Sequence, residues 1–301
     1  MISSLDAASL SFLTGLDRIQ RRSDKAQLEL TTGLRINTVS DDPSQVPALL
    51  QTRAQIDSAT QIDSNLGRVK NEVDTAEGAL QSAVTLVERA QTLGTQGQSG
   101  FSSAQTRTDV ATQLGAILQQ LVSISNTTAD GRYVFSGDSD QKAAYTIDLT
   151  QANPISGYGG SAATRQVQHP DGSLFSVSKT AQQLFDSANP QDNVLQSINN
   201  LRQALLNNDQ TGINTALTNV TASDTYLNGQ LAFYGGVQNR VADAQSYGAS
   251  LETRLKTQLS GIQDADLTQA ITEFQQANLN QQAALQSRAK VPHTSLFDFL
   301  A

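Results

Sequence analysis

Residues 2–30 read ISSLDAASLSFLTGLDRIQRRSDKAQLEL, and within them Ile2, Leu5, Ser9, Phe12, Leu16, Ile19, Ser23, Ala26 and Leu30 recur at alternating steps of three and four. That alternation draws a single stripe along one face of an α-helix, the seam of a coiled coil. Gly33 follows as a helix stop, and TVSDDP at 38–43 supplies a new start, with Asp42 expected as N-cap and Pro43 at the first helical position.

Working outward, a second seam runs through Ile62, Leu66, Val69, Val73, Ala76, Leu80, Ala83, Val87 and Ala90, with Gly94 and GQSG at 97–100 expected to break it. A third, through Val110, Leu114, Ile117, Leu121 and Ile124, is expected to stop at Ala129-Asp130-Gly131, where the glycine can take a positive φ. From Tyr133 to Phe185 the period changes. Glycines and prolines cluster, and RQVQHPDGSLFSV at 165–177 alternates around the turn residues Pro170, Asp171 and Gly172, which predicts a β-rich insert. Helical spacing returns at Val194, Ile198, Leu201 and Leu205, and again after Asn207-Asn208 at Ile213, Leu217, Val220, Leu227 and Leu231. A further seam takes in Val237, Val241, Ala244, Gly248, Leu251, Leu255, Gln258 and Ile262; after a break near Asp264 it resumes with Leu267, Ile271, Phe274, Asn278, Gln281 and Leu285.

The fold expected is mainly α: an elongated rod of long coiled-coil-like helices, its N- and C-terminal helices paired, with a small β-rich insert. A thirty-residue helix rising 1.5 Å per residue is about 45 Å long. The boundaries expected are an N-terminal coiled-coil segment 1–42, the first half of a helical rod 43–132, the insert 133–190, the second half of the rod 191–260, and a C-terminal coiled-coil segment 261–301. Several seam positions are weak: Ser9, Ser23, Gly248, Gln258, Asn278 and Gln281 bury little apolar area, where a large apolar side chain contributes about 1.5 to 3 kcal/mol. Terminal helices of this kind gain order when a neighbouring chain covers a second face.

Composition narrows the function. Charged residues are 16 % of the chain and the net charge is −8, which gives nucleic acid no basic footprint. There is no cysteine, so disulfides, thiolate metal sites and a cysteine nucleophile are excluded. No run approaches the roughly 18 apolar residues of a membrane span, and the opening residues carry Asp6 and Asp17 where a cleaved secretory signal is apolar. The expectation is a soluble chain that no membrane anchors. His169 and His293 are the two imidazoles, both expected in exposed loops. Asp41 and Asp42 read as caps, SGDSD at 136–140 as a solvated turn, and Tyr133, Phe135, Phe233 and Tyr234 as packing aromatics. No P-loop, nucleophile elbow or dinucleotide fingerprint is present. No catalytic residue, metal or cofactor is expected.

Three stretches carry a resemblance: TTGLRINTVSDDPSQ at 31–45, ADGRYVFSGD at 129–138, and TSLFDFL at 294–300 closing the C-terminal seam. With them the chain resembles the flagellin superfamily, colinear over almost its whole length. Asp41-Asp42-Pro43, GRYVFSG and SLFDFL lean toward its hook-filament junction members, and the opening residues and LVERAQTLGTQ toward the filament subunit. A secreted type III coiled-coil effector or translocator shares the helices but not these motifs. The resemblance implies a structural subunit that joins hook to filament and polymerises in a ring or helical lattice. Its implied partners are a neighbouring hook-associated protein, flagellin, and a cytoplasmic export chaperone on the C-terminal helix near residues 255–301. It also implies an extracellular location reached by type III export without a cleaved signal. Leu5, Phe12, Leu16 and Ile19 with Leu267, Ile271, Phe274 and Leu285 are the expected subunit-interface residues. Gly33, Arg35, Asn37, Asp41, Asp42 and Pro43 are expected to form the junction between helical segments.

Overall fold

The computed structural model describes residues 7–100, 102–151 and 153–290. Among them lie seven helices, α1 (Ala7–Thr32), α2 (Val46–Gln98), α3 (Ala104–Ser125), α4 (Ala181–Phe185), α5 (Val194–Leu206), α6 (Gln210–Gln263) and α7 (Leu267–Ala289). The strands are short and antiparallel: β1 (Thr128–Ala129) pairs with β2 (Arg132–Tyr133), and β3 (Gln166–Gln168) with β4 (Leu174–Ser176). The chain divides into two compact units. One holds the described residues up to Ser58 and from Glu252 onward, the other Ala59 to Leu251.

The larger unit is a helical bundle, and the seam residues form much of its core, together with insert residues such as Phe135, Tyr145 and Phe185. Leu66, Val73, Ala76, Leu80, Ala83, Val87 and Ala90 of α2 are buried, as are Val110, Leu114, Ile117 and Leu121 of α3, Val194, Ile198, Leu201 and Leu205 of α5, and Ile213, Val220, Leu227, Val237, Val241 and Ala244 of α6. α2 and α6 run antiparallel. Gln98 Nε2 donates to Asn214 (2.8 Å), Gln91 Nε2 to Thr221 (2.8 Å), and Gln238 Nε2 to both Asp74 (2.9 Å) and Glu77 (2.8 Å).

Gly94 does not break α2, which continues to Gln98. A Cβ at Gly94 would lie 2.8 Å from Leu201 Cδ2 and 2.9 Å from Leu217 Cδ1, so the glycine lets neighbouring helices approach rather than ending its own. The turn instead takes Ser99 and Gly100, and Ser103 caps α3 by accepting from Thr106 N (3.1 Å). The stop expected at Gly131 is also elsewhere. α3 ends at Ser125, and Asp130 (φ 51°) and Gly131 (φ 76°) form the two-residue turn of the β1–β2 hairpin, where both central residues need positive φ.

Among the described residues of 133–190, regular strand beyond Tyr133 of β2 is β3–β4, around the expected Pro170-Asp171-Gly172 turn with Gly172 at φ 94°. Side chains hold the remainder together. The Asn126 carboxamide, beyond the end of α3, accepts from Ala144 N (2.7 Å) and donates to Tyr145 O (2.7 Å). Phe135 packs edge-on against Phe185, both fully buried, and Tyr158 OH donates to Phe135 O (3.0 Å). Tyr234 of α6 is buried and its hydroxyl accepts from Lys179 N (3.1 Å); burial raises its pKa. The hairpin tip lies on α6, with His169 against the Tyr247 ring at 5.3 Å. His169 is therefore half-buried rather than exposed, its Nδ1 accepting from Asp171 N (3.1 Å). His293 lies outside the described residues.

Gly94→Val should lower the stability of this unit by about 1 to 3 kcal/mol, because a branched side chain must displace the buried Leu201. Chemical denaturation read by circular dichroism checks it. An unchanged midpoint would mean that the two leucines move aside at no cost.

Candidate assembly interface

In the smaller unit α1 and α7 pack as an antiparallel pair. Three polar contacts set their register: Arg22 to Glu273 (2.7 Å), Gln20 to Gln281 (3.0 Å) and Arg288 to Ser9 (2.7 Å), with the Arg288 guanidinium also over the Phe12 ring. The seam expected on α1 is the one that packs. Ser23 and Ala26 are buried, and Ser9, Phe12, Leu16, Ile19 and Leu30 are half-buried.

On α7 the phase differs from expectation. The inward stripe is Ala270, Phe274, Ala277, Gln281, Ala284 and Arg288, with Ala270 and Ala277 fully buried. Of the residues expected in the seam, Phe274 and Gln281 belong to this stripe, whereas Leu267 (49 %), Ile271 (47 %) and Leu285 (49 %) remain half-exposed. Ala270, Ala277 and Ala284 are spaced by seven, a repeat of small residues that lets the helices approach closely; the larger leucines on the adjacent stripe mask it in the sequence. α7 thus carries two overlapping seams, one used inside the chain and one left open. Leu5 lies outside the described residues.

The pair is two-sided. Arg22, Lys25 and Glu29 of α1 and Gln269 and Glu273 of α7 line a charged cleft of about 500 Å³. At roughly 100° per residue, Leu13 and Ile271 lie about half a turn round from the Arg22–Glu273 bridge, and Leu267 and Leu285 about a third of a turn.

The junction motif adjoins this pair. Gly33 takes φ 71°, with its N–H on Glu29 O (2.9 Å) and its carbonyl accepting from Ala265 N (2.9 Å). Leu34 bridges Asp264, and Arg35 N donates to Gln263 O (2.7 Å). The Arg35 guanidinium spans two segments, donating to Ile262 O (2.7 Å) and to Asp42 (2.9 Å). It thereby meets one of the carbonyls left free at the end of α6, where the helix dipole favours a cation. Asp266 then caps α7, accepting from Thr268 N (2.9 Å) and Gln269 N (3.0 Å), and the break near Asp264 falls where expected.

Asp41 and Asp42 cap the loop, not the helix. α2 begins at Val46, three residues after Pro43, and the proline of its first turn is Pro47. Asp41 accepts from Asn37 N (2.9 Å) and Thr38 N (2.7 Å), while the Asn37 side chain donates to Leu34 O (2.7 Å). Asp42 accepts from Arg35 and from the Ser44 hydroxyl (2.7 Å). Pro43 is an exposed turn residue. The missed signal was the spacing Arg35 to Asp42, which closes the loop on itself before a helix can start.

The N-terminal part of the chain, residues 3–140, matches the family model for the bacterial flagellin N-terminal helical region, and residues 210–300 match that for the C-terminal helical region; the chain belongs to the flagellin family. It is similar to flagellar hook-associated protein 3 of Salmonella typhimurium, 26 % identical over 310 residues and 92 % of each chain. It is also similar to flagellin of Bacillus subtilis, 25 % identical over 289 residues, 92 % of this chain and 91 % of that one. Among solved structures, flagellar hook-associated protein 3 from Legionella pneumophila shares the fold with a TM-score of 0.63, at 12 % identity, over 70 % of this chain and 98 % of its own.

Both loop carboxyls lie below the ordinary 3.8, Asp41 mainly through the Thr38 N–H and Asp42 mainly through Arg35. Folded values below unfolded ones contribute stability that is present above 3.8 and is lost as pH falls through the depressed values. Arg35→Ala removes both ends of the bridge and should speed amide exchange at Ala265 by about fivefold, the effect of roughly one hydrogen bond. Hydrogen-exchange NMR at neutral pH checks this; the bundle amide of Val87 should not change.

Proposed function

We propose that this chain is a structural subunit of the bacterial flagellum that joins hook to filament and polymerises through its terminal helices. The observation that carries this reading is the open seam of α7. Leu267, Ile271 and Leu285, with Phe274 at the edge, recur at coiled-coil spacing along a side that the chain itself leaves half-covered. Exposed apolar residues in heptad register fit another helix better than they fit water. Phe12, Leu16 and Ile19 position α1 behind them, and the Gly33–Pro43 loop fixes where the pair begins.

The partners this role requires are further copies in a ring or helical lattice, a neighbouring hook-associated protein, and flagellin. Before assembly the same seam is an aggregation hazard, which fits a cytoplasmic chaperone on the C-terminal helix. The location is extracellular, reached through flagellar export. The work is mechanical, and no residue is assigned a catalytic step. Filament subunit is the second reading, favoured by the similarity to the Bacillus subtilis flagellin over nearly all of both chains.

Electron microscopy of the purified chain at high concentration, with and without hook fragments as seeds, separates the two. A junction protein stays monomeric or forms short oligomers yet caps hook ends; long filaments of this chain alone would make it the filament subunit. Ile271→Asp should abolish capping while leaving the circular dichroism spectrum and the melting of the bundle unchanged, because it buries a charge only on assembly. Capping at normal yield by this variant would place the interface elsewhere.

A further inference from the structure

The α2–α6 seam of the bundle contains one feature that packing does not explain. Asp224 of α6 has one carboxylate oxygen, Oδ1, shut off from solvent and without a hydrogen-bond partner. Its other oxygen accepts only a long bond from Asn228 Nδ2 (3.3 Å), whose amide also donates to the Asp224 carbonyl (3.0 Å). The titratable group acting on Asp224 from the facing helix is Glu88 of α2, an acid. No cation compensates among the ion pairs of the described residues. On the side of the segment leading into α5, Asp192, also an acid, acts on Tyr226 two positions along from Asp224. The interaction close by on the same seam is the neutral bond between Gln91 and Thr221.

A buried carboxylate oxygen with neither a donor nor a cation is costly when ionised and much less so when protonated. Glu88 is exposed, so water damps its repulsion, and the larger cause is the burial of Asp224 itself. Both act in the same direction, raising the Asp224 pKa.

We propose that Asp224, facing Glu88, is a proton-operated weak point on the α2–α6 seam: ionised it loosens the bundle, and protonated it lets the two helices close. The sign follows from linkage. The folded state holds this proton more tightly than the unfolded chain, whose aspartate titrates near 3.8. The stabilisation is therefore fully present below 3.8 and is lost as pH rises through the folded value. This is opposite in sign to the Asp41–Asp42 loop, whose contribution persists down to 3.8 and is lost only below it.

The test is thermal unfolding of the full chain, followed by circular dichroism near neutral pH and near pH 4, for the parent, Asp224→Asn, Glu88→Gln, and the exposed control Asp243→Asn on the same helix. Asp224→Asn mimics the protonated acid and should raise the melting temperature by about 2 to 4 °C at neutral pH, with the gain vanishing near pH 4. Glu88→Gln should give a smaller gain of the same sign, and Asp243→Asn none. A gain for Asp224→Asn that is equal at both pH values, or a loss at neutral pH, would overturn the proposal, because removing the charge would then not be what matters.

Discussion

The structure depends on how the terminal helices divide their side chains between an inner and an outer face. On α7 the alanines at 270, 277 and 284 face α1, which presents buried Ser23 and Ala26 in return. Small residues let two helices approach closely but bury little area, whereas each exposed leucine would contribute about 1.5 to 3 kcal/mol if covered. Polar contacts such as Arg22–Glu273 fix the register of the pair, Phe12, Leu16, Ile19 and Phe274 are half-buried, and Leu267, Ile271 and Leu285 remain available. A helix pair that spent its leucines on itself would be a more stable monomer with less to offer a neighbour. In a member of the flagellin family, whose work is to assemble, that division is the expected compromise.

The loop between α1 and α2 makes the arrangement possible. It must turn the chain sharply, meet the end of α6 and start a second long helix, all within residues 33–45. Gly33 supplies the positive φ, Arg35 joins Asp42 to the Ile262 carbonyl, and Asp41 gathers two backbone N–H groups. Nearly every polar residue of the motif makes a named bond, so its function is geometric. The bundle of the other unit is the opposite case. Its core is conventional packing of long helices, tight enough that Gly94 cannot carry a side chain without displacing Leu201 and Leu217.

Much of this was legible in the sequence. Seams at steps of three and four located α2, α3, α5 and α6 and named their buried residues, because in a long amphipathic helix burial follows period directly. The Pro170-Asp171-Gly172 turn, the break near Asp264 and the segment junction at Gly33 were equally plain. What period could not reveal was which of two adjacent stripes on α7 faces inward. Large side chains draw the eye to 267, 271 and 285, yet close approach favours the alanines. Glycine was ambiguous for a related reason: Gly94 and Gly131 look like stops, but the first serves packing and the second a hairpin turn. Asp41 and Asp42 show the same limit, since an acidic pair before proline caps a helix or closes a loop depending on a partner, Arg35, that lies outside any local pattern.

The most direct test of the account is solvent access to the open seam of α7. The chain contains no cysteine, so Ile271→Cys or Leu285→Cys introduces a single thiol whose alkylation by a maleimide can be timed in the monomer and again after incorporation at the hook end. The account predicts rapid labelling of the monomer and strong protection once assembled. Equal labelling in both states would show that this face stays in water, and that the subunits are joined elsewhere.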